Sequence, residues 1–384
     1  MTKGTENGTN GRVLHFDHII FWVANAKMTS SYFVMRFGFK PLAVREAKDD
    51  IPVVSYAVTL NQIKILFESP TTSNGLISKN LSAHGDFVKD VAFEVQDLDE
   101  LVNKAKEGGA EIVKDVTEES DADGVIRYAV VRTYGDNTHT LIDRSKYKGL
   151  FWPGYQPAEE DKSTETLPDT FLKFIDHVEG NMADGTLEES VTWYEKNLNM
   201  QRFWCVDYVD YKNKLTPYSC INTASIINKE ETVLLSLNEA AKGLRPTSKA
   251  TEFVKALGSS GVEHIALYTD DIVATMKNLK ARGAELVTFP PTYYSLIKEK
   301  LKQSPLYISE SLDALQEYSI LIDFDERGYM LQAFTKHLQA RPTVFIEIIQ
   351  RRNHRGFGSM NYKWVFEAIE LLEQSKDEPK QENQ

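Results

Sequence analysis

The sequence predicts an α+β fold in two halves, each assembled from the same strand–helix–strand module. Segments recur in matched order along the chain, strand-like runs alternate with helix-like periods within each copy, and a charged stretch separates the copies. The first pair is Phe16-Asp-His-Ile-Ile-Phe-Trp22 and Ile175-Asp-His-Val178, short apolar strands. Each leads into an amphipathic helix ending at a turn, Ser30–Lys40 in one half and Ser190–Met200 in the other.

The second pair is clearer. Val88-Lys-Asp-Val-Ala-Phe-Glu-Val95 matches Val262-Glu-His-Ile-Ala-Leu-Tyr-Thr269. The helices that follow carry apolar residues at Leu98, Leu101, Val102 and Ala105, and at Ile272, Met276 and Leu279. Asp97 and Asp270 or Asp271 are placed to cap their starts, and Gly108 and Gly283 to stop them. The third pair closes each half: Thr138-His-Thr-Leu-Ile-Asp-Arg144 against Pro342-Thr-Val-Phe-Ile-Glu-Ile348, with an insertion around Tyr293–Gln316 in the second copy. Residues 13–150 are therefore expected to form one domain and 171–373 another. The Pro- and charge-rich 151–170 reads as a linker, and 1–12 and 374–384 as disordered tails.

Bulk properties exclude several classes of function. The 384 residues suffice for two or three cores, and 42% apolar with 26% charged is ordinary globular composition. With 44 basic against 56 acidic residues and no basic block, nucleic acid is not an expected partner. No apolar run is long enough to span a membrane and the start lacks a secretory leader, so a cytoplasmic location is expected. Cys205 and Cys220 show no CxxC spacing and read as reduced thiols, with a bond between them left open. P-loop, GxGxxG and GxSxG motifs are absent.

Chemistry enters when the halves are superimposed. The first offers His18, Asp90 and Asp143 at three module positions; the second offers His177, His264 and Glu347. Only the second set joins two imidazoles to one carboxylate, the facial arrangement that holds Fe(II) and leaves positions open for substrate and O2. The spacings match no local ligand motif, and taken singly a strand histidine is more often a satisfied core residue. Glu347 is harder to dismiss, because it lies in the apolar run Val344-Phe-Ile-Glu-Ile-Ile349. A buried carboxylate needs an ion or a partner, and Arg341 or Arg351 is the alternative to a metal.

At these residues the chain resembles the 4-hydroxyphenylpyruvate dioxygenases of the vicinal oxygen chelate superfamily. The likeness runs from about Leu14 to Glu373. It is most specific in Gly328–Lys336, Arg341–Arg351 and Asn353–Tyr362. The resemblance implies two domains of βαβββ modules forming open, glyoxalase-like barrels, with a C-terminal helix from Asn361 to Glu373 gating the pocket. It also implies one Fe(II) per chain in the second barrel and none in the first. An aromatic 2-oxo acid and O2 would be the substrates, homogentisate and CO2 the products of tyrosine catabolism, and a homodimer or homotetramer the assembly. The ligand positions fall on His177, His264 and Glu347. The substrate positions fall on Thr223, Asn238, Gln332, Phe334, Phe345, Phe357 and Asn361, with Phe334 and Phe357 sandwiching the ring.

Departures from the family pattern mark specificity. Threonine replaces serine at Thr223, and Ser236 stands where proline is usual. Lys249 and Glu263 replace glutamines: on one reading they pair and preserve neutrality, on another they mark a divergent paralogue with a changed substrate or outcome. These changes leave room for a 4-hydroxymandelate synthase-like or other aromatic 2-oxo acid oxygenase, while the retained Asn238 favours ring hydroxylation. A non-catalytic small-molecule-binding paralogue is the rival from a different class.

Overall fold

The computed structural model describes residues 11–160, 162–206, 221–241, 247–358, 360–361, 364–365 and 368. Most of the expected tails, Cys220 and the greater part of the expected gating helix lie outside the described residues.

The repeat is real at the level of hydrogen bonding. In the first half, β1 (Arg12–Trp22), α1 (Ala26–Phe37), β2 (Lys40–Arg45), β3 (Val53–Leu60) and β4 (Ile63–Pro70) make one module. After α2 (Leu76–His84), β5 (Phe87–Gln96), α3 (Leu98–Glu107), β6 (Ile112–Asp121), β7 (Gly124–Arg132) and β8 (Thr138–Asp143) make the next. The second half repeats the series with β10 (Ile175–Met182), α4 (Leu187–Asn197), β11 (Gln201–Val206), β12 (Ile221–Ile227) and β13 (Leu234–Ala240). There follow α5 (Lys249–Leu257), β14 (Gly261–Tyr268) and α6 (Ile272–Ala281). The expected insertion is helical, α7 (Pro291–Lys302) and α8 (Leu312–Glu317), before β15 (Leu321–Phe324), β16 (Tyr329–Phe334) and β17 (Phe345–Arg352) close the half.

The first sheet runs β6-β7-β8-β5-β1-β4-β3-β2-β9, where β9 is Gln156–Pro157; the second runs β11-β12-β13-β10-β14-β17-β16-β15. Reversing the second list reproduces the first eight strands of the first list in order, and β9 has no counterpart. In each, two modules join through one antiparallel central pair, β1–β5 or β10–β14, flanked by parallel neighbours. Side chains alternate across a strand, so residues two apart on these central strands share the inner face. The stretch read as a linker folds back on the first sheet: Phe151 is buried and Gln156–Pro157 pairs with β2. No described helix is long and apolar enough to cross a membrane.

Two local expectations need correction. Asp97 precedes α3 in a left-handed conformation (φ 53°) with no side-chain cap bond, whereas Asp271 does accept from the Ala274 amide. The left-handed stop after α3 is Gly109 rather than Gly108, while Gly283 serves α6 as expected. The module register also moves one residue of the comparison. Ala266 lies between His177 and Glu347, and Ala92 lies opposite His18. Asp90 pairs with Thr138, which puts Thr140 two residues along at the position of Glu347. Asp143 is therefore not the counterpart of Glu347; it sits at the end of β8 opposite Arg127.

Candidate active site

Three adjacent strands bring the predicted donors together. His177 on β10 and Glu347 on β17 flank Ala266 of β14, and His264 lies two residues back on β14. All three thus point from one face, and the methyl of Ala266 leaves the space between them open. The Nε2 atoms of His177 and His264 are 3.3 Å apart, and Glu347 Oε2 lies 3.4 and 3.0 Å from them. Donors bonded to one ion at about 2.1 Å and at right angles lie about 3 Å apart, so this triangle fits one face of an octahedron. The side chains are buried and belong to the donor chemistry of a divalent transition metal.

Each donor is held from behind. His177 Nδ1 meets Asp176 Oδ1 at 2.8 Å, and the Arg351 guanidinium grips that carboxylate with two bonds of 2.7 and 2.8 Å. Arg351 therefore pairs with Asp176, and Arg341 donates to the Ala83 carbonyl, so neither arginine serves Glu347. Gln332 Nε2 donates to Glu347 Oε1 at 2.8 Å, Asn361 Nδ2 donates to Gln332 Oε1 at 2.8 Å, and Tyr293 donates its hydroxyl proton to Asn361 Oδ1 at 2.8 Å. The carboxylate thus ends a chain of hydrogen bonds that starts on α7.

Electrostatics follow from this crowding. Burial alone would lower His177, but Glu347 and Asp176 outweigh it and hold the imidazole up at about 9. Burial likewise works against the Glu347 carboxylate, yet the two imidazoles keep it down at about 2. His264 is raised against its own burial by Glu179 and Glu347. Burial, then the nearby Glu179, pushes Glu263 up to about 7.

The donors open onto a cavity of about 560 Å³. Of the predicted substrate residues, Gln332, Phe334, Phe345, Phe357 and Asn361 line it, and so does Lys249. Phe345 stacks on His264 at 4.9 Å, and Phe357 stands edge-on to His177 at 5.4 Å. Phe334 packs edge-on to Phe345 at 6.0 Å. Thr223, Ser236 and Asn238 lie on β12 and β13 and are not among the cavity-lining residues. Thr223 donates to Asn238 Oδ1 at 2.7 Å, and Ser236 Oγ is buried with no hydrogen-bond partner among the described residues. Glu263 sits behind the wall, within 4.8 Å of donor atoms on Glu179 and His264. Sequence reasoning passed over Asp176, Glu179 and Tyr293. The first two carried a signal, charge inside a strand that is buried nearly throughout.

Comparison with known proteins points the same way. Residues 174–297 match the model of the glyoxalase/bleomycin resistance protein/dioxygenase superfamily. The chain is 45% identical to the 4-hydroxyphenylpyruvate dioxygenase of Xenopus tropicalis, with 96% of this chain and 95% of that protein covered. It is 42% identical to the enzyme of that name from Dictyostelium discoideum, over 94% and 98% of the two chains. Among solved structures, a triple mutant of 4-hydroxymandelate synthase from Streptomyces coelicolor superimposes with a TM-score of 0.78 at 25% identity, covering 94% and 99% of the two chains. Relatives this similar over nearly the whole length show that the chain belongs to the 4-hydroxyphenylpyruvate dioxygenase family.

Proposed function

We propose that the chain takes 4-hydroxyphenylpyruvate and O2 to homogentisate and CO2 in tyrosine catabolism, at one Fe(II) held by His177, His264 and Glu347. The observation that carries this reading is the contrast between the two sides of the donor triangle. Behind it lie buried hydrogen-bonded partners, and before it an aromatic- and amide-lined cavity of about 560 Å³, within the size of a small-molecule site. Iron, when bound, supplies the activation of O2 and the oxidising power.

The chain's own residues select, orient and shield. Phe334 and Phe357 take the two faces of the substrate ring, and Phe345 walls the space beside His264. Gln332 and Asn361 present amides to the polar end of the substrate, with Gln332 also holding Glu347 in place. Thr223 fixes the Asn238 amide on the neighbouring strands, and Ser236 supplies a bare hydroxyl beside it. Lys249 places a positive charge on the cavity wall, and its charge opposes the rise that Glu179 imposes on Glu263. Asn361 and Val365 border the cavity, at the position where a gate over a bound substrate would sit. Residues 13–150 act as a scaffold, and 171–373 carry the chemistry.

Side-chain hydroxylation is the competing outcome, favoured by the fold shared with 4-hydroxymandelate synthase and by Ser236. The test is incubation of the iron-loaded chain with 4-hydroxyphenylpyruvate in air, with the product identified by mass spectrometry. Homogentisate is the expected product. A 4-hydroxymandelate product would transfer the chain to the sister reaction, and binding without O2 uptake would make it a sequestering protein.

A further inference from the structure

His264 uses one ring nitrogen toward Glu347 and leaves the other facing Glu179. Its Nδ1 lies 3.4 Å from Glu179 Oε1, and the two residues are direct cross-strand partners on β14 and β10. Both atoms are buried, and among the described residues neither has a hydrogen-bond partner. An imidazole that gives its Nε2 lone pair to an ion keeps its proton on Nδ1, and that proton needs an acceptor. Glu179 is the carboxylate within reach, and a movement of about half an ångström would bring the pair to ordinary hydrogen-bond length.

The other ligand shows the completed form of this arrangement. His177 Nδ1 is held at 2.8 Å by Asp176, itself clamped by Arg351. The first half contains the same device without the ligand set: His18 Nδ1 lies 2.5 Å from Asp17, which Arg144 grips in turn. Glu179 differs in pairing with no arginine among the described residues, and Glu263 lies within 4.8 Å of it. We infer that Glu179 is the positioning residue of His264, accepting the Nδ1 proton so that Nε2 is aimed at the metal. His177 is then the rigidly clamped ligand and His264 the compliant one.

This inference rests on the reading that His177, His264 and Glu347 hold a metal, and the experiment separates the two. Metal-free full-length chain is titrated with Co(II), following the visible absorption bands and, by chelator competition, the dissociation constant. Glu179→Leu should weaken Co(II) binding by about 10- to 100-fold and shift the bands. Glu179→Gln, whose amide oxygen still accepts from Nδ1, should lose less than about tenfold and shift the bands less. If Glu179→Leu does not fold, the Gln variant decides: affinity and spectrum identical to the parent overturn the inference. Leu binding within about twofold of the parent with unchanged bands overturns it too, as would two Co(II) per chain, which would make Glu179 a ligand to a second ion. His264→Ala is the control. Tight Co(II) binding by that variant would defeat the metal site itself, whereas its loss alongside an indifferent Glu179→Leu would defeat only the role of Glu179.

Discussion

At the scale of single residues, the proposed metal site sets protons against an ion for the same donors. In the absence of metal, Glu347 and Asp176 keep His177 protonated up to about 9, so a divalent ion must displace that proton. Apparent metal affinity should therefore rise with pH until it levels off near about 9, by up to about tenfold per pH unit for each proton released. The stability linkage has a definite sign. A folded-state pKa raised above the unfolded value contributes stability fully present below about 6.5 and lost as pH rises through about 9. Glu347, depressed to about 2, contributes stability present above its ordinary value and lost only as pH falls through about 2. Melting curves of metal-free and metal-loaded chain from about pH 6 to about pH 10 should diverge, the metal-free form falling first; parallel curves would contradict the assignment. Gln332→Leu removes the donor that orients Glu347 and should weaken metal binding by about 10-fold or more, read by chelator competition.

At the scale of elements, the insertion does more than lengthen the chain. From α7, Tyr293 donates to Asn361 Oδ1 at 2.8 Å and accepts the Ile322 amide at 2.9 Å, tying the insertion to β15 and to the residues over the cavity. Tyr293→Phe orphans both buried partners and should cost about 1–3 kcal/mol, measured by denaturant unfolding. Gly358 is a second element-level constraint: its φ is +77°, and a Cβ there would fall 2.1 Å from Gln332 Oε1. Gly358→Ala should therefore displace Gln332 and release Glu347, raising the metal dissociation constant while the fold survives; unchanged binding would show that Gln332 has slack. The insertion was legible in the sequence as extra length, but its hydrogen bonds were not, because a tyrosine announces no partner until the chain folds. The repeat was legible because strand and helix periods recur in order, and His177, His264 and Glu347 because they occupy matched strands. Asp143 misled because it is the nearest carboxylate in the matching segment. Only strand pairing shows that Thr140 takes that position. Thr223 and Asn238 have a placement that periodicity cannot give: they pair with each other beside the cavity without lining it.

At the scale of the molecule, the two halves are tied by more than apolar contact. One apolar cluster runs through both, including Phe33 and Phe67 from the first half and Ile297 and Ile348 from the second. Across that seam the helices α1 and α6 exchange arginines. Arg36, in the last turn of α1, donates to the Arg282 carbonyl at the end of α6 at 2.7 Å. Arg282 in return donates to the carbonyls of Val34, Met35 and Pro168 at 2.8–2.9 Å. Each guanidinium therefore sits against the negative end of the other half's helix, where the last carbonyls have no intrahelical donor. Arg282 is only 6% exposed, so the carbonyls it serves have little access to water as a substitute. Arg282→Ala should cost about 2–4 kcal/mol, because several acceptors lose a charged donor at once. Arg282→Lys should recover part of that, since an ammonium keeps the charge but lacks the planar fork that reaches separated carbonyls. Urea unfolding of the metal-free chain measures both, and the slope shows whether the halves still unfold together. A single transition at lower denaturant would mark the arginine exchange as one contribution among those joining the halves. Two separated transitions would mark it as the link that makes them one cooperative unit, and no change in midpoint would show that the exchange stabilises nothing.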